Sequence, residues 1–166
     1  MSAPPSRLKS KLAYFAVALS VFAADQLTKW LVTRSLPLYH SYVVVPRFFH
    51  ITHVQNPGAA FSLFANLEHA SLFLSIFNGL SLLVLFTMIW REIGFTRIGF
   101  GMSLIVGGAV GNLTDRLRLG GVVDFLAFDL GKYHWPDFNV ADSCVLIGVC
   151  FVAFAIFFSP QKESSA

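Results

Sequence analysis

Four carboxylates in this chain stand within or beside long apolar runs: Asp25, Asp115, Asp124 and Asp142. Ionisable groups at membrane depth cost several kcal/mol and are ordinarily either paired or functional. Asp25 and Lys29 are four apart, a pairable acid and base. Asn112, Asp115 and Arg116 fall at i, i+3, i+4 on one helical stripe. Both groups contain a cation, so structural pairing accounts for them as readily as chemistry does. Asp124 and Asp142 have no basic residue at helical spacing, and Asn139 lies three residues before Asp142. Asp142 also suits the positive N-terminal end of a helix, and either aspartate alone could be a cap. Together they suggest a definite chemistry. Two carboxylates brought close in a poorly solvated site share one proton. The ionised member takes a proton from a water attacking an amide carbonyl. Its protonated partner polarises that carbonyl and later protonates the leaving nitrogen. Such a pair titrates as a unit.

The elements that must hold these residues follow from composition. Of the 166 residues, 55% are hydrophobic and only 13% charged, with eighteen Phe. Soluble domains carry about 25% charged residues, so the apolar surface must face lipid. A helical span needs about 20 apolar residues, and four segments qualify: 12–32, 70–90, 98–114 and 140–158. The expected fold is therefore mainly α and integral to a membrane, a single domain over 1–166 with four transmembrane helices. The third span is rich in glycine (Gly99, Gly101, Gly107, Gly108 and Gly111), which suits close helix approach in lipid. Between the first two spans, segment 35–69 holds β-branched and aromatic runs broken by Pro46 and by Asn56-Pro57-Gly58, the pattern of a small β-sheet outside the membrane. Residues 120–137 read as a second loop on the same side, and 162–166 as a tail. With four spans, the Asn56 region, the end of the third span, the Asp124 loop and the start of the fourth all share one side, whichever way the protein faces.

Orientation is less strongly marked. Arg7, Lys9, Lys11, Arg91, Arg97 and Lys162 fall on one side, with the other six basic residues outside or within spans, so counting does not decide. The basic N-terminus favours cytoplasmic termini. Arg7, Lys9 and Lys11 before an apolar run also imitate a secretory signal, but the run continues through Asp25 to Val32 and reads as a retained span.

Other chemistries find little in the chain. There is no H-E-x-x-H and no G-x-S-x-G. The five His lack metal-site spacing, and Cys144 and Cys150, six apart in one apolar stretch, read as packing residues. The net charge of +3 is not gathered into a run, which argues against nucleic acid. A small proton-coupled carrier, a metal-dependent lipid phosphotransferase and a structural membrane subunit are the rival classes. A carrier should spread its acids along a path, a phosphotransferase needs clustered carboxylates for Mg²⁺, and a structural subunit needs no such acids.

Five boxes then resemble the lipoprotein signal peptidases (signal peptidase II) over almost the whole chain. Asp25-Gln26-Leu27-Thr28-Lys29 resembles D-x-x-[ST]-K, and Asn56-Pro57-Gly58-Ala59-Ala60-Phe61 resembles N-x-G-A-[AW]-F. Residues 107–116 resemble G-G-x-x-G-N-x-x-D-R, Val122-Val123-Asp124-Phe125 resembles V-x-D-F, and Phe138-Asn139-Val140-Ala141-Asp142-Ser143 resembles F-N-x-A-D-S. The resemblance implies that Asp124 and Asp142 are the catalytic pair of an aspartic endopeptidase without a cofactor or metal. It implies that Asn56, Gly58, Gly108, Asn112, Arg116 and Asn139 line the site or hold substrate, with Asp25, Lys29 and Asp115 as structural polar residues. The implied substrate is a prolipoprotein cut before its diacylglyceryl-modified Cys. The implied setting is a monomer among the lipids of a bacterial inner membrane, with its site near the extracytoplasmic face.

Overall fold

The computed structural model describes residues 7–58, 69–92 and 94–158. Ala59, Ala60 and Phe61 of the second motif, the rest of 59–68, and the 162–166 tail lie outside the described residues. Four helices, α1 (Arg7–Ser35), α2 (Ala70–Arg91), α3 (Arg97–Leu119) and α4 (Val140–Phe157), accompany four strands, β1 (Ser41–Val45), β2 (Phe49–Asn56), β3 (Val122–Leu130) and β4 (Tyr133–Phe138). Among the described residues, α1, α2 and α4 are long and apolar enough to cross a membrane. The helices are inside out relative to a soluble bundle. In α1 the buried face is Ser10, Tyr14, Val21, Asp25, Lys29 and Val32, while Leu12, Phe15, Leu19, Leu27 and Trp30 are exposed. Polar groups shelter inside because lipid, unlike water, offers them no partners.

Helix α3 is the axis of the bundle and touches α1, α2 and α4. Its glycines are what let the helices approach. A Cβ on Gly101 would stand 2.9 Å from the Gly148 carbonyl oxygen, and one on Gly108 would collide with the Ala141 carbonyl oxygen in the first turn of α4. Thr96 caps the start of α3 by accepting from the Gly99 N–H at 2.9 Å, and Gly120 ends it in the left-handed region at φ 75°. At this far end of the bundle α1 ties down the α2–α3 connection. Lys11 donates to the carbonyls of Ile89 and Glu92 at the C-terminus of α2, and the Tyr14 hydroxyl donates to the Gly94 carbonyl while accepting from the Thr96 N–H.

The strands form one antiparallel sheet in the order β1-β2-β3-β4. The expected sheet of segment 35–69 is therefore only half of it. Residues 120–137, read from sequence as a loop, supply β3 and β4, turning through Gly131 at φ 69°. Two hairpins separated by α2 and α3 meet through β2 and β3, with Val54 opposite Asp124 and Gln55 opposite Val123. Each hairpin alone would leave two unpaired edges, and their union gives the middle of β3, from Leu126 to Phe128, a neighbour on both sides. Phe49, Phe128 and Phe138 stack across three strands, with centroids 4.8 and 5.9 Å apart.

Because Gly108 packs on the backbone of the turn that carries Asp142, Gly108→Val should cost about 1–3 kcal/mol through overpacking. The check is the unfolding midpoint in detergent. An unchanged midpoint would mean that α3 and α4 do not meet this closely.

Candidate active site

At the opposite end from the Tyr14 tie, α1, α3, α4, β2 and β3 converge, and the polar residues singled out from sequence meet there. Asp25 and Asn139 are fully buried, and Lys29, Asp115, Asp124 and Asn112 are buried as well. Asp142 and Arg116 are half-buried. Asp142 occupies the third position of α4 in a reciprocal capping box: the Asn139 side chain accepts from the Asp142 N–H at 3.0 Å, and Asp142 Oδ2 accepts from the Asn139 N–H at 3.3 Å. The helix-capping role considered from sequence is therefore real, but it uses one carboxylate oxygen. The other, Oδ1, accepts from Asn112 Nδ2 at 2.8 Å.

Asp124 is carried by β3 and is held by amides on both oxygens. Asn56 Nδ2 donates to Oδ2 at 3.0 Å and Asn139 Nδ2 to Oδ1 at 2.7 Å. Asn139 is thus shared: its backbone and carbonyl side cap the helix of Asp142, while its NH₂ group faces Asp124, the Val123 carbonyl and Asn112 Oδ1. One asparagine connects the two aspartates. Burial, and then the nearby charge of Asp142, push the Asp124 carboxyl up to about 7, against the opposing hydrogen bonds from Asn56 and Asn139. A carboxyl that retains a proton near neutrality beside a second carboxylate is what general acid–base work on an amide requires.

Under the dyad lies a second layer. Lys29 Nζ is 2.9 Å from Asp25 Oδ2 and 2.8 Å from Asp115 Oδ2, and it donates to Asn112 Oδ1 at 2.9 Å. Asp25 Oδ1 accepts from the Ala141 N–H at 3.0 Å, and Asp115 Oδ2 accepts from the Val123 N–H at 3.2 Å. The sequence option that paired Asp115 with its neighbour Arg116 is replaced by this arrangement: Asp115 bonds to Lys29, and Arg116 Nη2 reaches across to the Gly58 carbonyl at 3.2 Å. Adjacent residues on a helix point about 100° apart, so the closer partners come from other elements. Gly58 is buried and its N–H donates to Asn56 Oδ1 at 2.9 Å, which orients that amide toward Asp124. Gly108 sits in the α3–α4 contact.

Sequence reasoning passed over Gln26, whose Nε2 donates to Asp115 Oδ1 at 3.0 Å and to Asp25 Oδ2 at 3.2 Å. Its position inside the first motif was the available signal. A second polar group on the sheet was also missed. His134 bonds to Asp129 at 2.8 Å and Asp137 at 3.1 Å, and Thr52 donates to Asp137 at 3.1 Å. His50 Nε2 comes within 2.9 Å of Asp129 Oδ2 without hydrogen-bond alignment. Hydrogen bonding to Asp129 raises the His134 pKa, and hydrogen bonding to His134 lowers that of Asp129. Residues 129, 134 and 137 come together only when the β3–β4 hairpin forms. Among the described residues, no group of three or more His, Cys, Asp or Glu side chains is arranged to hold a metal ion.

Comparisons with known proteins show the family and the fold. The family model for signal peptidase (SPase) II matches residues 17–158. A lipoprotein signal peptidase of Desulforapulum autotrophicum is 44% identical over 150 residues, covering 89% of this chain and 93% of its own. One from Francisella tularensis subsp. novicida is 41% identical over 160 residues, covering 94% and 98%. A crystal structure described as a bacterial membrane enzyme, solved by the in meso method, superposes with a TM-score of 0.82 at 28% identity, covering 100% of this chain and 99% of that one. With the family model spanning most of the chain and relatives above 40% identity along nearly its full length, this chain belongs to the signal peptidase II family of aspartic peptidases.

Proposed function

We propose that this protein removes signal peptides from prolipoproteins, cutting before a diacylglyceryl-modified Cys, with Asp124 and Asp142 as its two catalytic carboxylates. The observation that carries the reading is the dyad itself. Two carboxylates from different elements are joined through Asn139, and burial pushes the Asp124 carboxyl up to about 7. The ionised carboxylate accepts a proton from water as the oxygen attacks the scissile carbonyl. The protonated one donates to the carbonyl oxygen, and collapse of the tetrahedral intermediate returns a proton to the leaving amide nitrogen. One proton shared between the pair suffices for the cycle. Asn56 and Asn139 keep Asp124 in place, Asn112 does so for Asp142, and Arg116 with Gly58 fixes the end of β2 beside them.

The surroundings support the same reading. Helix α3 lacks an apolar run as long as those of the other three, but it packs against all of them and turns Asn112 and Asp115 into the bundle interior, where polar groups find partners. We therefore read all four helices as spans of a bacterial inner membrane protein, with one membrane-embedded domain over 1–166 and cytoplasmic termini. The sheet then lies on the extracytoplasmic side, and a monomer suffices because every residue of the dyad network comes from one chain. The exposed apolar flanks of α2 and α4 give the signal helix and acyl chains of a substrate a lipid-side approach, and the sheet cradles the peptide where it leaves the membrane.

The test uses a diacylglyceryl-modified prolipoprotein in detergent or liposomes, with chelator present. Wild type should cut before the modified Cys. Asp124→Asn and Asp142→Asn should each lose activity by on the order of 10³-fold or more while remaining folded. Retained cutting by either variant would remove that aspartate from the mechanism.

A second expectation concerns pH. The raised pKa of Asp124 keeps the shared proton in place below about 7, and the proton is lost as pH rises through that value. The profile of kcat/KM should therefore have an alkaline limb centred near 7, reporting the pair and not a single residue. A rate that stays flat up to pH 9 would contradict the assignment of a shared proton.

A further inference from the structure

We propose that Lys29, whose two ion pairs are with Asp25 and Asp115, is the positioning residue for both aspartates of the dyad, acting on each by a separate route. The proposal rests on the dyad reading above. Both routes depend on one property of an ammonium group: it donates hydrogen bonds and accepts none.

The first route runs through Asn112. A side-chain amide can turn by 180° and exchange its donor and acceptor ends with little change in shape. Here Lys29 Nζ stands 2.9 Å from Asn112 Oδ1, so the oxygen must face Lys29. The NH₂ group then points the other way, to Asp142 Oδ1 at 2.8 Å. The same oxygen takes a longer bond from Asn139 Nδ2 at 3.3 Å. Lys29 thus dictates that Asp142 Oδ1 meets a donor and not a second acceptor.

The second route runs through Asp115. Lys29 at 2.8 Å and Gln26 at 3.0 Å hold this carboxylate as an acceptor. Its Oδ2 then takes the Val123 N–H at 3.2 Å. The Val123 carbonyl is held by Asn139 Nδ2 at 3.2 Å. Both backbone groups of the residue before Asp124 are therefore fixed by side chains of the helix bundle, and the strand is anchored next to the reacting carboxyl. Charge counting agrees. Asp25, Asp115, Asp124 and Asp142 surround two cations, Lys29 and Arg116, of which Lys29 alone is almost wholly buried. Asp25 closes the circuit by accepting from the Ala141 N–H, one residue before Asp142.

The experiment is steady-state cleavage of a diacylglyceryl-modified prolipoprotein by purified full-length protein in detergent, with unfolding midpoints measured in parallel. Lys29→Met should lower kcat by about 100-fold, the scale of a roughly 1 Å misplacement of reacting groups, with KM within about 3-fold of wild type because no substrate contact is lost. The acid limb of its pH profile should move upward, since a cation that favours the ionised carboxylates has gone. Lys29→Arg, which keeps a donor-only cation, should recover part of the kcat and the wild-type profile. If Lys29→Met does not fold, Asn112→Asp tests the first route: it keeps the Lys29 contact but loses the donor to Asp142, and should show the same fall in kcat with a displaced profile. A folded Lys29→Met or Asn112→Asp with wild-type kcat and profile overturns the proposal. So does a Lys29→Met sample that only loses folded fraction, with the remaining enzyme titrating as wild type. An inactive wild type on verified substrate would instead overturn the proposed function.

Discussion

The constraint on which this structure depends is the burial of one ammonium group, that of Lys29, at membrane depth. Neither water nor lipid can satisfy it there, so its charge and its hydrogen-bond donors must be met by the protein. Asp25 on the same helix, and Asp115 and Asn112 on α3, meet them. Each partner then faces outward with its remaining polar capacity directed at α4 or β3. Asp25 reaches the Ala141 N–H, Asp115 the Val123 N–H, and Asn112 the Asp142 carboxylate. A requirement that is local to α1 is therefore transmitted to three other elements without any flexible side chain at the end of the line.

The helices can only answer that requirement if they come close, and the glycines of α3 make this possible. In lipid there is little hydrophobic drive to hold helices together, so close backbone contact and buried polar bonds carry the association. Gly108 against the Ala141 backbone and Gly111 against the Asp25 carboxylate, where a Cβ would stand 2.5 Å from Oδ2, put packing and polar satisfaction at the same positions. Asn78 adds a polar tie for the most loosely held helix, donating from α2 to the Ala109 carbonyl at 3.0 Å. Stability and site geometry are consequently not separable in this bundle.

The proposed dyad differs from the layer beneath it in one respect. Asp25 and Asp115 have a cation within 3 Å, whereas Asp124 and Asp142 are held by neutral amides and backbone N–H groups. Amides orient a carboxylate without neutralising it. Burial and then the nearby charge of Asp142 push the Asp124 carboxyl up to about 7, where a salt bridge would have pulled it down. In the proposed mechanism the same residue type serves as scaffold in one layer and as reagent in the next, and the difference lies in what each carboxylate bonds to.

The sequence by itself determined the membrane class, because 55% hydrophobic residues exceed what a soluble surface can hide. It also determined that the costly residues share one side, since span counting places Asn56, Asp115, Asp124 and Asp142 together whatever the orientation. The spacing of Asn139 and Asp142 announced a helix start, and both the capping box and the candidate dyad use it. Tertiary structure decided the rest. Strands β3 and β4 were not legible in residues 120–137, because short strands interrupted by Asp129 and Pro136 become strands only when β3 pairs with β2 on one side and β4 on the other. Nor could spacing reveal that Lys29 bonds to Asp115 as well as Asp25, that Arg116 reaches Gly58 instead of its neighbour, or that Asn112 turns its NH₂ toward Asp142. Spacing fixes which residues share a face of one element. The choice among partners on different elements depends on how closely those elements pack, and only the folded chain specifies that distance.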